Sequence, residues 1–255
     1  MRTSEFEAGG YRHIEGPFQY SGGVAAAPGF AIERVRFARP VGLEAGFRRI
    51  EAHLAALGRP TTAFCACELR SPAPFDDRGF AEFNRVYVGT LERWGLFRDE
   101  ANPVARTNVC PAHHAPAAPS FEAFCYTVPE ADAAPSFVLS GGGDARPGAE
   151  PYAERIVRHG ETSSDAMREK GRFVLDLMEA RLEALGFGWP DATAVQAYAV
   201  ENLQAVMAEE IAPRGAARPG LVWHYARPPV EGLAFEMDVR GVRTERVADA
   251  VPRRG

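Results

Sequence analysis

The chain has 255 residues, of which 46% are hydrophobic, so it can bury a substantial core as one large domain or as two of about half that length. Its net charge is −5, with no basic run and no interleaving of basic and aromatic residues, which excludes nucleic acid as a partner class. No apolar stretch approaches the roughly 20 residues needed to span a bilayer. Residues 1–16 also lack the apolar centre of a secretory signal, so a cytoplasmic protein with no membrane partner is expected.

In chain order, the first helix is expected over residues 41–57, where Leu43, Phe47, Ile50, Leu54 and Leu57 fall on one stripe. A β-prone run, 61–71, follows between Pro60 and Pro72. A second helix, 77–96, carries Phe80, Phe83, Tyr87, Leu91 and Trp94, which read as core residues. A strand over 120–128 leads to a polar, Pro/Ala-rich linker over 129–136. The apolar run 137–140 precedes a glycine-rich segment, 141–149. No G-K-[ST] follows it and no helix starts close behind, so it reads as a flexible turn rather than a phosphate loop. The third helix, 162–185, opens on a capping pattern at Thr162-Ser163-Ser164-Asp165 and aligns Met167, Gly171, Val174, Met178 and Leu185. A strand (193–201), a short helix (202–211) and a last acidic strand (233–239) complete the pattern.

The helix ends repeat. Residues 50–58 read IEAHLAALG and residues 178–186 read MEARLEALG, identical at six of nine positions at an offset of 128. The order of elements downstream also matches, which points to two copies of one unit. The expected domains are residues 1–130 and 131–255.

The cysteines, Cys65, Cys67, Cys110 and Cys125, all lie in the first half. In a reducing compartment they read as buried free thiols, with Cys65 and Cys67 on one strand face. C-x-C beside Cys110, His113 and His114 lacks a second matching pair, so no metal is expected. Lys170 is the single lysine and lies mid-helix on the polar side, which argues against a lysine imine and leaves arginine to hold a carboxylate.

Several segments, taken together, resemble the RidA (YjgF/YER057c/UK114) family. In the first half these are Gly16-Pro17-Phe18, the AALG helix end, Phe83-Asn84-Arg85-Val86-Tyr87, Asn102-Pro103-Val104-Ala105-Arg106-Thr107 and Phe121-Glu122-Ala123. In the second half they are residues 137–141, the EALG helix end and residues 233–238. The resemblance implies an α+β fold of two tandem chorismate-mutase-like domains, each a mixed sheet with two helices on one face. It implies a homo-oligomer, a trimer by preference, with clefts between subunits and no cofactor. It also implies an enamine or imine deaminase, a hydrolase acting on C=N. The substrates would be small 2-imino or 2-amino unsaturated carboxylic acids, of the 2-aminoacrylate or 2-aminomuconate type, with ammonia released.

By that resemblance Arg106 matches the carboxylate-binding arginine. The catalytic carboxylate falls at Glu122, with Ser120 at the site in the alternative register; a carboxylate on a neighbouring strand can position or deprotonate water. Glu236 matches the same position more clearly in the second half. Phe18 replaces a usual tyrosine, Asn108 replaces a usual cysteine with Cys110 two residues on, and Asn84 lies in a matched segment. Arg218, Trp223 and His224 are the second-half candidates, His224 as a base. Intact helices beside differing ligand residues imply diverged copies with one competent cleft type. The alternatives are a non-catalytic module binding small carboxylates or proteins, and a chorismatase-like hydrolase.

Overall fold

The computed structural model describes residues 1–248; residues 249–255 of the expected second domain lie outside the described residues. The chain opens with three short strands, β1 (Thr3–Phe6), β2 (Tyr11–Ile14) and β3 (Gly23–Ala26), then a long one, β4 (Phe30–Gly42). Helix α1 (Leu43–Ala56) leads to β5 (Phe64–Arg70), and α2 (Asp77–Arg93) leads to β6 (Ala105–Pro111) and β7 (Ser120–Pro129). The second half begins with β8 (Phe137–Leu139), β9 (Gly142–Gly143) and the helical turn α3 (Tyr152–Arg155). Then come the long α4 (Ser164–Ala184), β10 (Ala194–Tyr198) and α5 (Gln204–Val206), which runs into a π turn at Met207–Ile211. Strands β11 (Leu221–His224), β12 (Ala226–Arg227), β13 (Glu236–Gly241) and β14 (Thr244–Ala248) finish the described chain.

The helices start and stop where local chemistry dictates. Asp76 caps α2 by accepting from the Gly79 amide at 2.6 Å, and Ser163 caps α4 by accepting from the Ala166 amide at 3.2 Å. The repeated nonamers each end in a left-handed glycine, Gly58 (φ 65°) and Gly186 (φ 77°). The next amides, of Arg59 and Phe187, then bond back to the carbonyls of Leu54 and Leu182 at 2.8 Å each. This is the Schellman arrangement, and it accounts for the shared L-G at both sites.

Equivalent strands follow. β5 runs parallel to β6 and antiparallel to β7; β10 runs parallel to β11 and antiparallel to β13. The sheets, however, are built from both ends of the chain. One has six strands in the order β12-β6-β5-β7-β4-β14, and the other has eight, β1-β2-β3-β8-β13-β10-β11, with β9 also on β13. The N-terminal strands complete the second sheet through β3–β8, and β14 returns to pair in parallel with β4 of the first. Two tandem RidA-like domains, each a sheet with two helices on one face, are therefore not the fold. Each sheet takes strands from the other half, and a short helical turn with a π turn stands where a second long helix was expected in the second half.

Helices α1 and α2 cover the outer face of the six-stranded sheet: Phe47, Ile50, Leu54, Tyr87 and Leu91 pack with Phe64, Leu69, Phe121 and Phe124. Helix α4 covers the other sheet through Val174, Met178 and Leu182 against Val195, Met237 and Val239. The inner faces meet through Tyr11, Val24, Ile32, Cys65, Ala105 and Cys125. Cys65 and Cys67 do not share a face. The β5–β7 register shifts between Phe64 and Ala66, so Cys65 points between the sheets while Cys67 lies 3.3 Å from the Tyr87 hydroxyl of α2.

Lys170 is not on a polar face. It is fully buried, with its ammonium 2.8 Å from Asp144 and 2.5 Å from the Val157 carbonyl. Asp144 also accepts from the amides of Ala234 and Phe235, at 3.0 and 3.2 Å. The glycine-rich segment is thereby tied to α4 and to the approach to β13. Lys170→Met leaves the Asp144 carboxylate buried without its partner and should lower the unfolding free energy by about 3–5 kcal/mol, read from urea titration. Adding Asp144→Asn should recover part of that loss.

Candidate active site

The two sheets join at three short segments. The Ser21 amide donates to the Val104 carbonyl at 2.9 Å, and the Gly141 amide donates to the Arg106 carbonyl at 3.2 Å. The Ser140 hydroxyl donates to the Ser21 carbonyl at 2.6 Å and accepts from the Arg106 amide at 3.0 Å. Arg106, the second residue of β6, is thus held at its amide by the Ser140 hydroxyl and at its carbonyl by the Gly141 amide.

Its side chain is 2% exposed and packs among rings, with the guanidinium carbon 4.8 Å from the centre of Tyr87, 4.9 Å from Tyr20 and 5.3 Å from Phe83. Nε and Nη1 of Arg106 have no protein acceptor, although both are buried. Leaving such donors unmet is costly unless an anion arrives. Two residues along the strand, Asn108 accepts from the Ser71 hydroxyl at 3.0 Å, while its Nδ2 is also unmet.

Arg106 and Asn108 open onto a cavity of about 280 Å³ at the edge of the inter-sheet space. The second half supplies the opposite wall: Gly141–Gly143 and Arg146 from the glycine-rich segment, Arg181 from α4 and Glu236 from β13. Arg181 donates to the Ser140 carbonyl at 2.7 Å. Glu236 is the only acid among the residues lining the cavity, and it is buried. Burial pushes its carboxyl well above the ordinary value, helped by Asp238 two residues along the same strand face; Arg181 and Arg106 oppose this without cancelling it. A Cβ at Gly141 would collide with Oε1 of Glu236, so glycine is what lets the carboxyl reach the cavity.

Residues 3–246 match the family described as 2-aminomuconate deaminase CnbZ. A 2-amino-5-chloromuconate deaminase from Comamonas testosteroni is 58% identical over 244 residues, covering 95% of this chain and 97% of that protein. The chain belongs to the CnbZ 2-aminomuconate deaminase family. Deamination with release of ammonia is its reaction class. A solved chorismatase shares the fold, with a TM-score of 0.51 at 12% identity over 89% of this chain and 78% of that one. At that identity the likeness carries the fold alone.

Membership of the CnbZ family corrects the RidA resemblance. The short motifs behind it are local: the AALG and EALG helix ends are a capping geometry any helix can adopt. The trimer and the inter-subunit cleft implied by RidA lose their ground with it. Among the described residues no helix is long and apolar enough to cross a membrane.

Of the residues singled out in the sequence, the fold of this CnbZ-family chain brings Arg106, Asn108 and Glu236 to one cavity. Arg106 comes from the first half and Glu236 from the second, so the cleft is shared between the two halves of the chain. Phe18 lies under the Arg85 guanidinium at 3.8 Å, with its neighbours Pro17 and Tyr20 on the cavity wall. Asn84 is buried and donates to the Phe80 carbonyl at 2.6 Å. Cys110 lies further along β6, and burial pushes its thiol up to about 12.

Glu122 sits 3.8 Å from Arg36, away from the cavity, and Ser120 donates to the Ala118 carbonyl at 2.8 Å. The β5–β7 pairing skips a residue there, with Glu68 opposite Ala123 and Leu69 opposite Phe121, so counting along β7 changes face at Glu122. Arg218 is exposed and donates to the Pro190 carbonyl at 3.4 Å. Trp223 is half exposed and donates to the Ala199 carbonyl at 3.0 Å.

His224 stacks on Tyr198 at 4.9 Å and lies 2.9 Å from Gln196. Burial first, then Arg70, lowers its pKa to about 4, so it is neutral at pH 7. It belongs to an inter-sheet polar layer. There Arg34 holds Glu68 at 2.8 Å, and Asp238 accepts from Gln196 at 2.9 Å and Tyr198 at 2.8 Å.

Tyr20, Arg146, Tyr152, Arg155 and Arg181 line the cavity and were not singled out in the sequence. The glycine-rich segment is a cavity wall rather than a free turn. Arg146 within it and Arg155 just beyond it were the available signal. Because Arg106 holds a buried charge without an acid partner, Arg106→Met should leave the melting temperature unchanged or raise it. A loss of 2 kcal/mol or so, as expected for a structural buried ion pair, would count against a ligand-binding role.

Proposed function

We propose that the chain deaminates a 2-amino unsaturated carboxylate of the 2-aminomuconate type, with Arg106 on the carboxylate next to the amine and Glu236 as the proton carrier. The observation that carries this reading is the pairing, in one cavity, of unmet buried guanidinium donors with a buried carboxyl of raised pKa. The family and the 58% identical chloromuconate deaminase support it.

The chemistry balances on those two groups and water. Protonated Glu236 gives its proton to a carbon conjugated with the amine, which turns the enamine into an iminium and leaves a carboxylate. That carboxylate takes a proton from water as the water oxygen bonds to C2. Glu236 then returns a proton to nitrogen, the C–N bond breaks, and ammonia leaves. The C2 hydroxyl closes to a ketone and its proton restores the Glu236 acid. The sum is enamine plus water to 2-oxo acid plus ammonia, and the reading calls for no cofactor. Arg106 keeps the substrate in register with the acid and contributes orientation.

Glu236→Gln should lower kcat by roughly 100- to 10,000-fold in an ammonia-release assay. Retained turnover in that variant would sink the reading, whereas carboxylate binding without ammonia from the native chain would favour a non-catalytic module.

The pH dependence has a defined sign. The folded pKa of Glu236 lies above its unfolded value, so the folded chain binds the extra proton more tightly. The Glu236 contribution to stability is present below the ordinary carboxylate range and is lost as pH rises through the folded pKa. Melting temperatures of the native chain and Glu236→Gln should therefore diverge with rising pH, with the variant the more stable above that range. Activity should fall through the same pH interval.

A further inference from the structure

We infer that the mouth of this cavity is a second carboxylate subsite, formed by Arg146 and Arg155, and that it selects dicarboxylates over monocarboxylates of the same chain. The inference rests on the deaminase reading above and extends it to the far end of the substrate.

The first observation is charge. Four arginines line the cavity, Arg106, Arg146, Arg155 and Arg181, against the single acid Glu236, whose raised pKa favours its neutral form. None of the four has an acidic partner among the described residues. This is not the habit of arginines elsewhere in the chain. Arg158 contacts Glu161, Asp165 and Glu169, and Arg214 contacts Asp176, Glu179 and Glu210. One carboxylate beside Arg106 leaves the excess largely uncompensated; a dianion answers more of it.

The second observation is how the outer pair is held. Arg155 donates from Nε to the Glu150 carbonyl and from Nη1 to the Arg146 carbonyl, both at 2.7 Å, with its guanidinium 4.2 Å from the Tyr152 ring centre. Carbonyls and a ring orient the group without neutralising it. The Arg146 guanidinium makes no hydrogen bond among the described residues, and Arg146 is exposed at the cavity rim. The loop that carries it is anchored by the buried Asp144–Lys170 pair.

The third is what lies on the cavity wall besides these groups. Phe80, Phe173, Leu177, Val230 and Leu233 give it an apolar surface, which suits a conjugated hydrocarbon with an anion at each end.

Muconate and sorbate test this directly, since they share a six-carbon diene and differ by a carboxylate or a methyl at one end. Calorimetric titration of the full chain should show muconate binding at least about ten-fold more tightly than sorbate, the equivalent of one charge-assisted contact. Arg146→Gln and Arg155→Gln should each remove most of that preference by weakening muconate and leaving sorbate unchanged, while Arg106→Gln should weaken both. Arg155 also braces its loop, so Arg146→Gln, which removes no protein hydrogen bond, gives the cleaner answer.

Equal affinity of the native chain for both acids, or a parallel loss of both in Arg146→Gln, overturns the subsite. Ammonia release with no muconate preference overturns the subsite alone. Neither binding nor ammonia release overturns the deaminase reading with it.

Discussion

The Ser140 hydroxyl, shared between the Ser21 carbonyl and the Arg106 amide, is the contact on which the architecture turns. It sits where the start of β3, the end of β8 and the start of β6 come together, and so where one sheet is attached to the other. A serine suits this place because one hydroxyl can donate and accept at once. Without that bridge, the Arg106 amide and the Ser21 carbonyl would each lose a hydrogen bond. The same junction fixes the backbone of Arg106 and, through Gly141, the reach of Glu236. Sheet assembly and site assembly are therefore one event.

Two charge regimes lie side by side between the sheets. In the polar layer, arginines and acids answer one another: burial alone would raise the Glu68 carboxyl, yet Arg34, Arg70 and Arg240 outweigh it and bring it to about 2. On β13 the balance reverses: burial and Asp238 push the Glu236 carboxyl up, and burial and Glu68 push up Asp238 two residues along the same face. Asp238 is held by Gln196 and Tyr198, whereas no side-chain hydrogen bond holds the Glu236 carboxyl among the described residues. A compensated network holds the fold; the uncompensated pocket is where a ligand has something to contribute.

Much of the secondary structure was legible in the sequence, because helix stripes and caps are local. Residues 41–57 and 162–185 gave α1 and α4 to within two residues at each end. The deaminase class was reached as well, though by way of a resemblance to a family to which the chain does not belong. What escaped were properties of pairing. Strands β1–β4 have no turn-bounded alternation that distinguishes them, and the skipped residue at Glu122 is invisible until β5 lies beside it. Lys170 read as solvent-facing because its partner, Asp144, is 26 positions away. The RidA resemblance failed for the same reason: it rested on short motifs, while the fold is decided by which strands meet.

The exchange of chain ends bears on how the protein comes into being. The β3–β8 ladder joins Val24 to Val138, and the β4–β14 ladder joins Val35 to Arg246. Neither sheet can be completed from one half of the chain, so an emerging N-terminal half leaves the ribosome with the β8-facing edge of β3 and the outer edge of β4 unpaired. These long-range closures slow folding and expose strand edges in the interval. The exchange makes the two halves a single obligate folding unit, and cutting the chain at its midpoint would leave two pieces with open edges rather than two domains.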